Sequence, residues 1–250
     1  MSRFTQSLFS HVRNHGLFSS HWFENRFDRE PDWEEAAEAS KASLTSLTTL
    51  WKTQSKRVEK YGDEQGLEEA FIQPVLEAVG WKLKYQTHLR GRKPDYALFL
   101  SDAHLDTALD FKREDPDFWV PSAVVADAKK WDYPLDKKVG SGAKKEYPPE
   151  QIEWYLTHSR KPFGILTNGR LWRLVPRELG PTQRRFQTFL EIDLARSSTT
   201  HPRRAESTST PKRISGPCSY FSGRPVSRRR TAGNRSHNGR WKAVPTTGSV

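Results

Sequence analysis

Cysteine is almost absent from this chain. The single one, Cys218, leaves no disulfide framework and no thiolate-rich metal site within one chain. Long apolar runs are missing as well. No stretch approaches the roughly 20 residues that span a bilayer. The N-terminus carries Arg3, His11 and Arg13 but not the apolar core of a secretory signal. A soluble, cytoplasmic protein is the default that these absences leave. The end of the chain lacks acids: residues 196–250 hold twelve Lys and Arg against one acid, Glu206. That tail carries the whole formal charge of +11, and residues 1–195 are balanced. Global charge therefore says nothing about nucleic-acid binding by the front of the chain, which has to come from local patches. The eight histidines show no metal-ligand spacing.

What is present reads as alternating helices and strands. Residues 1–60 are expected as a helical N-terminal extension. In it, Pro31-Asp32-Trp33-Glu34-Glu35 starts a helix and Leu44, Leu47, Trp51 and Val58 recur at three, four and seven. A second helix is predicted over about 63–79, kinked at Pro74 and ended by Gly80. Strands are predicted over 81–89, 96–100 and 122–128, with a helix over 102–113 between the last two. A further helix spans about 149–158. Strands over 163–167 and 171–175 flank Asn168-Gly169, a two-residue hairpin signal, and 189–194 adds an edge strand. Strands interleaved with helices give an α/β class for residues 61–195. From Arg196 onward Ser, Thr, Pro, Gly and Arg dominate, and apolar residues are too few to offset ordering entropy, so a disordered basic tail is expected. The abrupt change after a regular strand also fits a truncated or frameshifted end.

The chemistry concentrates in two short elements. Pro94-Asp95 opens the strand Tyr96–Leu100, and Asp127-Ala128-Lys129 closes the strand that begins at Ser122. Mg²⁺ prefers oxygen ligands and keeps several waters, so one or two carboxylates suffice to hold it. Asp95 and Asp127 supply them, with the Ala128 carbonyl completing the shell. Asp127 and Lys129 leave the same strand face, which puts an ammonium where it can stabilise charge developing on a phosphate. Two other Pro-Asp pairs compete. Asp32 reads as an acid in a helix first turn. Asp117 is followed by Pro121, which interrupts any strand there, so Asp95 is preferred. Gln151 and Tyr155 share a helix face one turn apart, as an accessory pair or as an ordinary amphipathic helix. Glu64 and Glu68 are also four apart and offer a further carboxylate or a solvated face.

Basic residues flank both elements: Arg90, Arg92 and Lys93 on one side, Lys130, Lys137, Lys138, Lys144 and Lys145 on the other. Such patches suit contact with a phosphate backbone, which positions DNA without reading its sequence. The run Gly140–Lys145 lacks the spacing and the Ser/Thr of a nucleotide phosphate loop, so nucleotide triphosphate binding is rejected.

These residues carry a resemblance. Lys93-Pro94-Asp95-Tyr96-Ala97 with Val124–Trp131 resembles the PD-(D/E)xK nuclease core, a restriction-endonuclease-like mixed sheet flanked by helices. Gln151–Leu156 is similar to the Gln-x-x-x-Tyr motif of its RecB-like and restriction-subunit branches. Leu17–Trp22, Phe71–Trp81 and Gly164–Leu174 resemble the N-terminal endonuclease domain of Type IIG restriction–modification enzymes. The resemblance spans about residues 15–195. It implies Mg²⁺-dependent DNA cleavage by Asp95, Asp127 and Lys129, with Glu64 as the helical acid, Glu68 as second choice, and Gln151 and Tyr155 as accessories. The chain lacks the Asn-Pro-Pro-aromatic motif of the methyltransferase those enzymes carry downstream. A nuclease portion of a longer system, or one partnered by a separate methyltransferase or specificity subunit, is implied. The alternative class is a non-catalytic DNA-binding or interaction module that keeps the fold.

Overall fold

Two adjacent strands, Tyr96–Phe99 and Val124–Ala128, are buried at every residue. Unbroken burial along a strand requires cover on both faces of its sheet. The computed structural model describes residues 11–31, 36–61, 63–138 and 147–197, and within them a mixed seven-stranded sheet has that cover. In chain order the strands are β1 (Val12–His15), β2 (Lys82–Tyr85), β3 (Tyr96–Phe99), β4 (Val124–Ala128), β5 (Phe163–Thr167), β6 (Leu171–Pro176) and β7 (Phe189–Asp193). They lie in the order β1-β7-β6-β5-β4-β3-β2. Only β4 and β5 are parallel; every other neighbouring pair is antiparallel. A parallel pair needs a crossover, and the helix Pro148–Ser159 supplies it.

The helices are α1 (Ser20–Asn25), α2 (Ala37–Gln54), α3 (Glu64–Leu67), α4 (Gln73–Ala78), α5 (Asp102–Leu109), α6 (Pro148–Ser159) and α7 (Leu194–Ser197). They divide the core in two. On one face Ala97, Phe99, Val125 and Leu166 pack with Ala108 of α5 and Ile152, Tyr155 and Leu156 of α6. On the other, Tyr96, Leu98, Val124, Ala126 and Ala128 pack with Leu67, Phe71, Ile72, Val75 and Leu76, backed by Leu47, Leu50 and Trp51 of α2. The alternation along β3 and β4 sends successive side chains to opposite cores. Gly164 lets α6 lie close: a Cβ there would meet Ile152 and Leu156 at 3.1–3.2 Å.

Several elements depart from the sequence expectation. The segment expected as a helical extension also supplies β1, which pairs with β7, so β7 is an inner strand rather than an edge. The helix expected over 63–79 runs without interruption from Glu64 to Ala78 but carries a π turn, Glu68–Ile72, between α3 and α4. A proline ring clashes with the carbonyl four residues earlier, here Ala70, and the wide turn just before Pro74 relieves that clash. Helix α5 stops at Leu109 instead of 113. The hairpin register between β5 and β6 continues to Asn168 and Leu171, so the two loop residues are Gly169 and Arg170. Gly169 takes φ +80°, as the first loop position of a II′ turn requires. Asn168 flanks the loop, accepting from the N–H groups of Arg170 and Leu171. Helix α7 reaches Ser197, past the expected start of the tail. The rest of that tail, Gly62, residues 32–35 of the first helix start, and Lys144 and Lys145 lie outside the described residues. Among the described residues no helix is long and apolar enough to cross a membrane.

Candidate active site

The carboxyl end of β4 and the start of β3 meet at one end of the sheet. The last ladder pair there is Tyr96 with Ala126. Continuing that register by one residue sets Asp95 across from Asp127. The Ala128 N–H donates to Asp95 Oδ2 at 2.7 Å, which fixes the carboxylate against β4. What reaches Asp95 from Ala128 is thus the amide. From the opposite face of the sheet, α3 and the π turn bring in Glu64 and Glu68. One carboxylate oxygen from each of Glu64, Glu68 and Asp95 lies within 4.8 Å of the others. Asp127 falls outside that group; its Oδ2 is 2.7 Å from Lys129 Nζ. Lys129 Nζ is also 3.9 Å from Glu64 Oε1.

The electrostatics are lopsided. Burial, followed by the Asp127 and Glu68 carboxylates, pushes the Asp95 carboxyl well above the usual range, against the lowering bond from Ala128. Glu68, 3% exposed, is raised by burial too, with Tyr85 and Tyr96 hydroxyls bonding it in partial compensation. Burial would lower the Lys129 ammonium, but Asp127, and behind it Asp95 and Glu64, offset this and hold it above its ordinary value. Among the described residues, four carboxylates, Glu64, Glu68, Asp95 and Asp127, thus gather around Lys129. The all-oxygen donor set of Glu64, Glu68 and Asp95 fits a hard divalent cation such as Mg²⁺.

The third side of the site is α6. Gln151 Nε2 donates to the Tyr155 hydroxyl at 3.1 Å, and that hydroxyl donates to the Lys93 carbonyl at 3.3 Å. The Tyr155 phenol is pushed up to about 12 by burial, then by Asp127. Gln151 Oε1 is buried without a hydrogen-bond partner. The turn between β2 and β3 that leads into Asp95 is pinned at three points. Arg92 lies over Trp154 at 4.4 Å, Trp119 Nε1 donates to the His88 carbonyl at 2.9 Å, and Leu89 is buried in the core. Arg90, Lys93 and Lys130 are exposed and make no ion pair among the described residues.

The structure therefore brings Asp95, Asp127, Lys129, Glu64, Gln151 and Tyr155 to one end of the sheet, with Arg90, Arg92, Lys93 and Lys130 around it. Asp117 sits apart, exposed in the short turn Pro116–Trp119 ahead of β4. Residues the sequence reading missed are Tyr85 and Tyr96, both bonded to Glu68. Tyr96 follows Asp95 directly, and strand alternation sends it to the face where the helix bearing Glu68 packs. No family model matches the chain, and no curated protein or solved structure matches it.

Proposed function

We propose that this chain is a Mg²⁺-dependent DNA endonuclease built on a restriction-endonuclease-like fold. The observation that carries the reading is geometric: oxygens of Glu64, Glu68 and Asp95 gather within 4.8 Å of one another at one sheet end, with Asp127 and Lys129 beside them and Arg90, Lys93 and Lys130, which make no ion pair among the described residues, around them. Glu64, Glu68 and Asp95 would hold the cation, with Asp127 beside them. Bound there, Mg²⁺ supplies charge neutralisation and a more acidic water. The protein's own share is positional. Ala128 fixes one oxygen of Asp95, and packing against two cores fixes the strands that present Asp95 and Asp127. The Lys129 ammonium, charged at any working pH, stands ready to stabilise negative charge on a phosphate oxygen. Arg90, Lys93 and Lys130 draw a phosphate backbone to this end of the sheet without reading base sequence. The open acceptor Gln151 Oε1 can order a water or a substrate donor.

The test is nicking of supercoiled plasmid with Mg²⁺ by the wild-type chain and by Asp95→Asn. Asparagine keeps an oxygen for the Ala128 N–H and removes the charge. Metal-dependent nicking lost in the variant supports the reading. No nicking at any protein concentration, with DNA still bound, favours the non-catalytic module.

A further inference from the structure

We propose that the turn Leu89–Arg92 carries Arg90 into the minor groove of duplex DNA, so that the chain favours narrow, A·T-rich grooves. The inference rests on the nuclease reading above and names the form of substrate that its site takes. Arg90 and Gly91 are the loop residues of a closed turn. Leu89 N–H donates to the Arg92 carbonyl at 2.8 Å, and Arg92 N–H returns a bond to the Leu89 carbonyl at 3.0 Å. Both loop residues have positive φ, +45° at Arg90 and +83° at Gly91. That is the I′ pattern, which favours Asn-Gly or Asp-Gly. A long side chain at the first position is strained there. Strain at a rigidly held, exposed position points to a use for the side chain beyond the fold.

The frame under the turn is rigid. Thr87 and Leu89 are buried. Trp119 Nε1 holds the His88 carbonyl at 2.9 Å, and the Arg92 guanidinium lies on Trp154, itself stacked on His158 at 3.9 Å. Below the turn, Thr87 N–H donates to the Pro94 carbonyl at 3.2 Å and Gln86 N–H to the Asp95 carbonyl at 2.8 Å. The ladder thus ties the turn directly to the candidate metal site. At the tip the surroundings are open. Arg90 and Gly91 are exposed, and a Cβ on Gly91 would meet nothing within 4 Å. A major groove, about 12 Å wide, admits a whole helix or ribbon, and a minor groove, about 6 Å wide, does not. This ribbon is packed up to its two loop residues, so a side chain is what remains free to enter. A guanidinium is weakly hydrated and always charged, and the deepened negative potential of a narrow groove attracts it. Arg92 and Lys93, exposed beside it, suit the phosphates along the groove. Selection of this kind comes from groove width, not from base edges.

Fluorescence anisotropy of the full chain on A·T-rich and G·C-rich duplexes, in EDTA so that no strand is cut, reads the preference. The cations of residues 196–250 add the same sequence-blind attraction to both duplexes, so the affinity ratio is the readout. Wild type should bind the A·T-rich duplex about tenfold more tightly. Arg90→Asn, whose side chain tolerates a positive φ, should erase that ratio while raising the melting temperature of the free protein by about 2 °C. Arg92→Gln should weaken both duplexes alike. A ratio that Arg90→Asn leaves unchanged, whether both affinities fall together or neither moves, overturns the proposal, as does a wild type without preference. A wild type that binds neither duplex is a different failure: the DNA reading itself is then wrong, and the groove contact falls with it.

Discussion

The two halves of the sheet treat buried charge in opposite ways. Around β6, β7 and β1, nearly every acid has its arginine. Arg173, 4% exposed, makes a bidentate pair with Asp136 at 2.7 and 3.0 Å and bonds Glu191, itself 3% exposed, at 2.9 Å. Arg13 reaches the same Glu191 at 3.3 Å, Arg170 joins Asp132 to Asp193, and Arg196 lies 3.6 Å from Asp193. Around β3 and β4 the acids outnumber the cations. Both regions are expensive to bury. The first is neutral within itself and explains itself as structure. The second gathers more acids than cations among the described residues, and that difference sets a brace apart from a candidate site.

The comparison breaks most visibly at its two central cations. Lys129→Met should lower the Mg²⁺-dependent nicking rate about 10²- to 10³-fold per folded molecule, the usual effect of removing one group that stabilises developing charge. Arg173→Met should leave the rate per folded molecule within a fewfold and instead destabilise the chain by about 3 kcal/mol, because buried Glu191 is then left with only the half-exposed Arg13. Denaturant midpoints and single-turnover nicking on both variants separate the two roles. If Arg173→Met costs more in rate than in stability, the neutral half is not merely a brace.

Mg²⁺ sharpens the contrast from the other direction. A ligand that binds only the folded state stabilises it by about 2.7 kcal/mol at a hundredfold excess over its dissociation constant. The wild-type melting temperature should rise with Mg²⁺, and the rise should vanish in Asp95→Asn but persist in Asp136→Asn. An equal rise in all three chains would place the metal elsewhere.

Much of this contrast was legible beforehand. Asp95 stood out from Asp117 because five strand-like residues follow it without a proline, and β3 begins where that argument put it. Asp127 and Lys129 had to share a face once the strand was accepted. What could not be read was which carboxylates meet. Glu64 and Glu68 are equivalent on an ideal helix, and only the π turn, a response to Pro74, and the tyrosines of β2 and β3 distinguish them. The arginine brace was equally hidden. Asp136, Arg173 and Glu191 are far apart in sequence, and no local pattern pairs a loop acid with alternate residues of two later strands. The swap of β7 from edge to interior depended on β1, four residues whose strand character comes from pairing and not from propensity.

The smallest effect lies in how acid dissolves the brace. Hydrogen bonds from Arg173, against the cost of partial burial, hold the Asp136 carboxyl below its ordinary value. A carboxyl depressed by folding stabilises the chain fully above its unfolded value, near 3.9, and loses that contribution as pH falls through the lower folded value. The Asp136 side chain is 68% exposed, so solvent screens the pair and the contribution should stay under about 1 kcal/mol. Stability measured on wild type and Asp136→Asn should therefore differ by a small, constant amount above about pH 5 and converge only as pH falls through the lowered folded value of Asp136. Convergence at higher pH would mean that Arg173 does not hold Asp136 in solution. Arg173 would then serve Glu191 alone, and the loop that follows Lys129 would have lost one of its ties to the neutral half of the sheet.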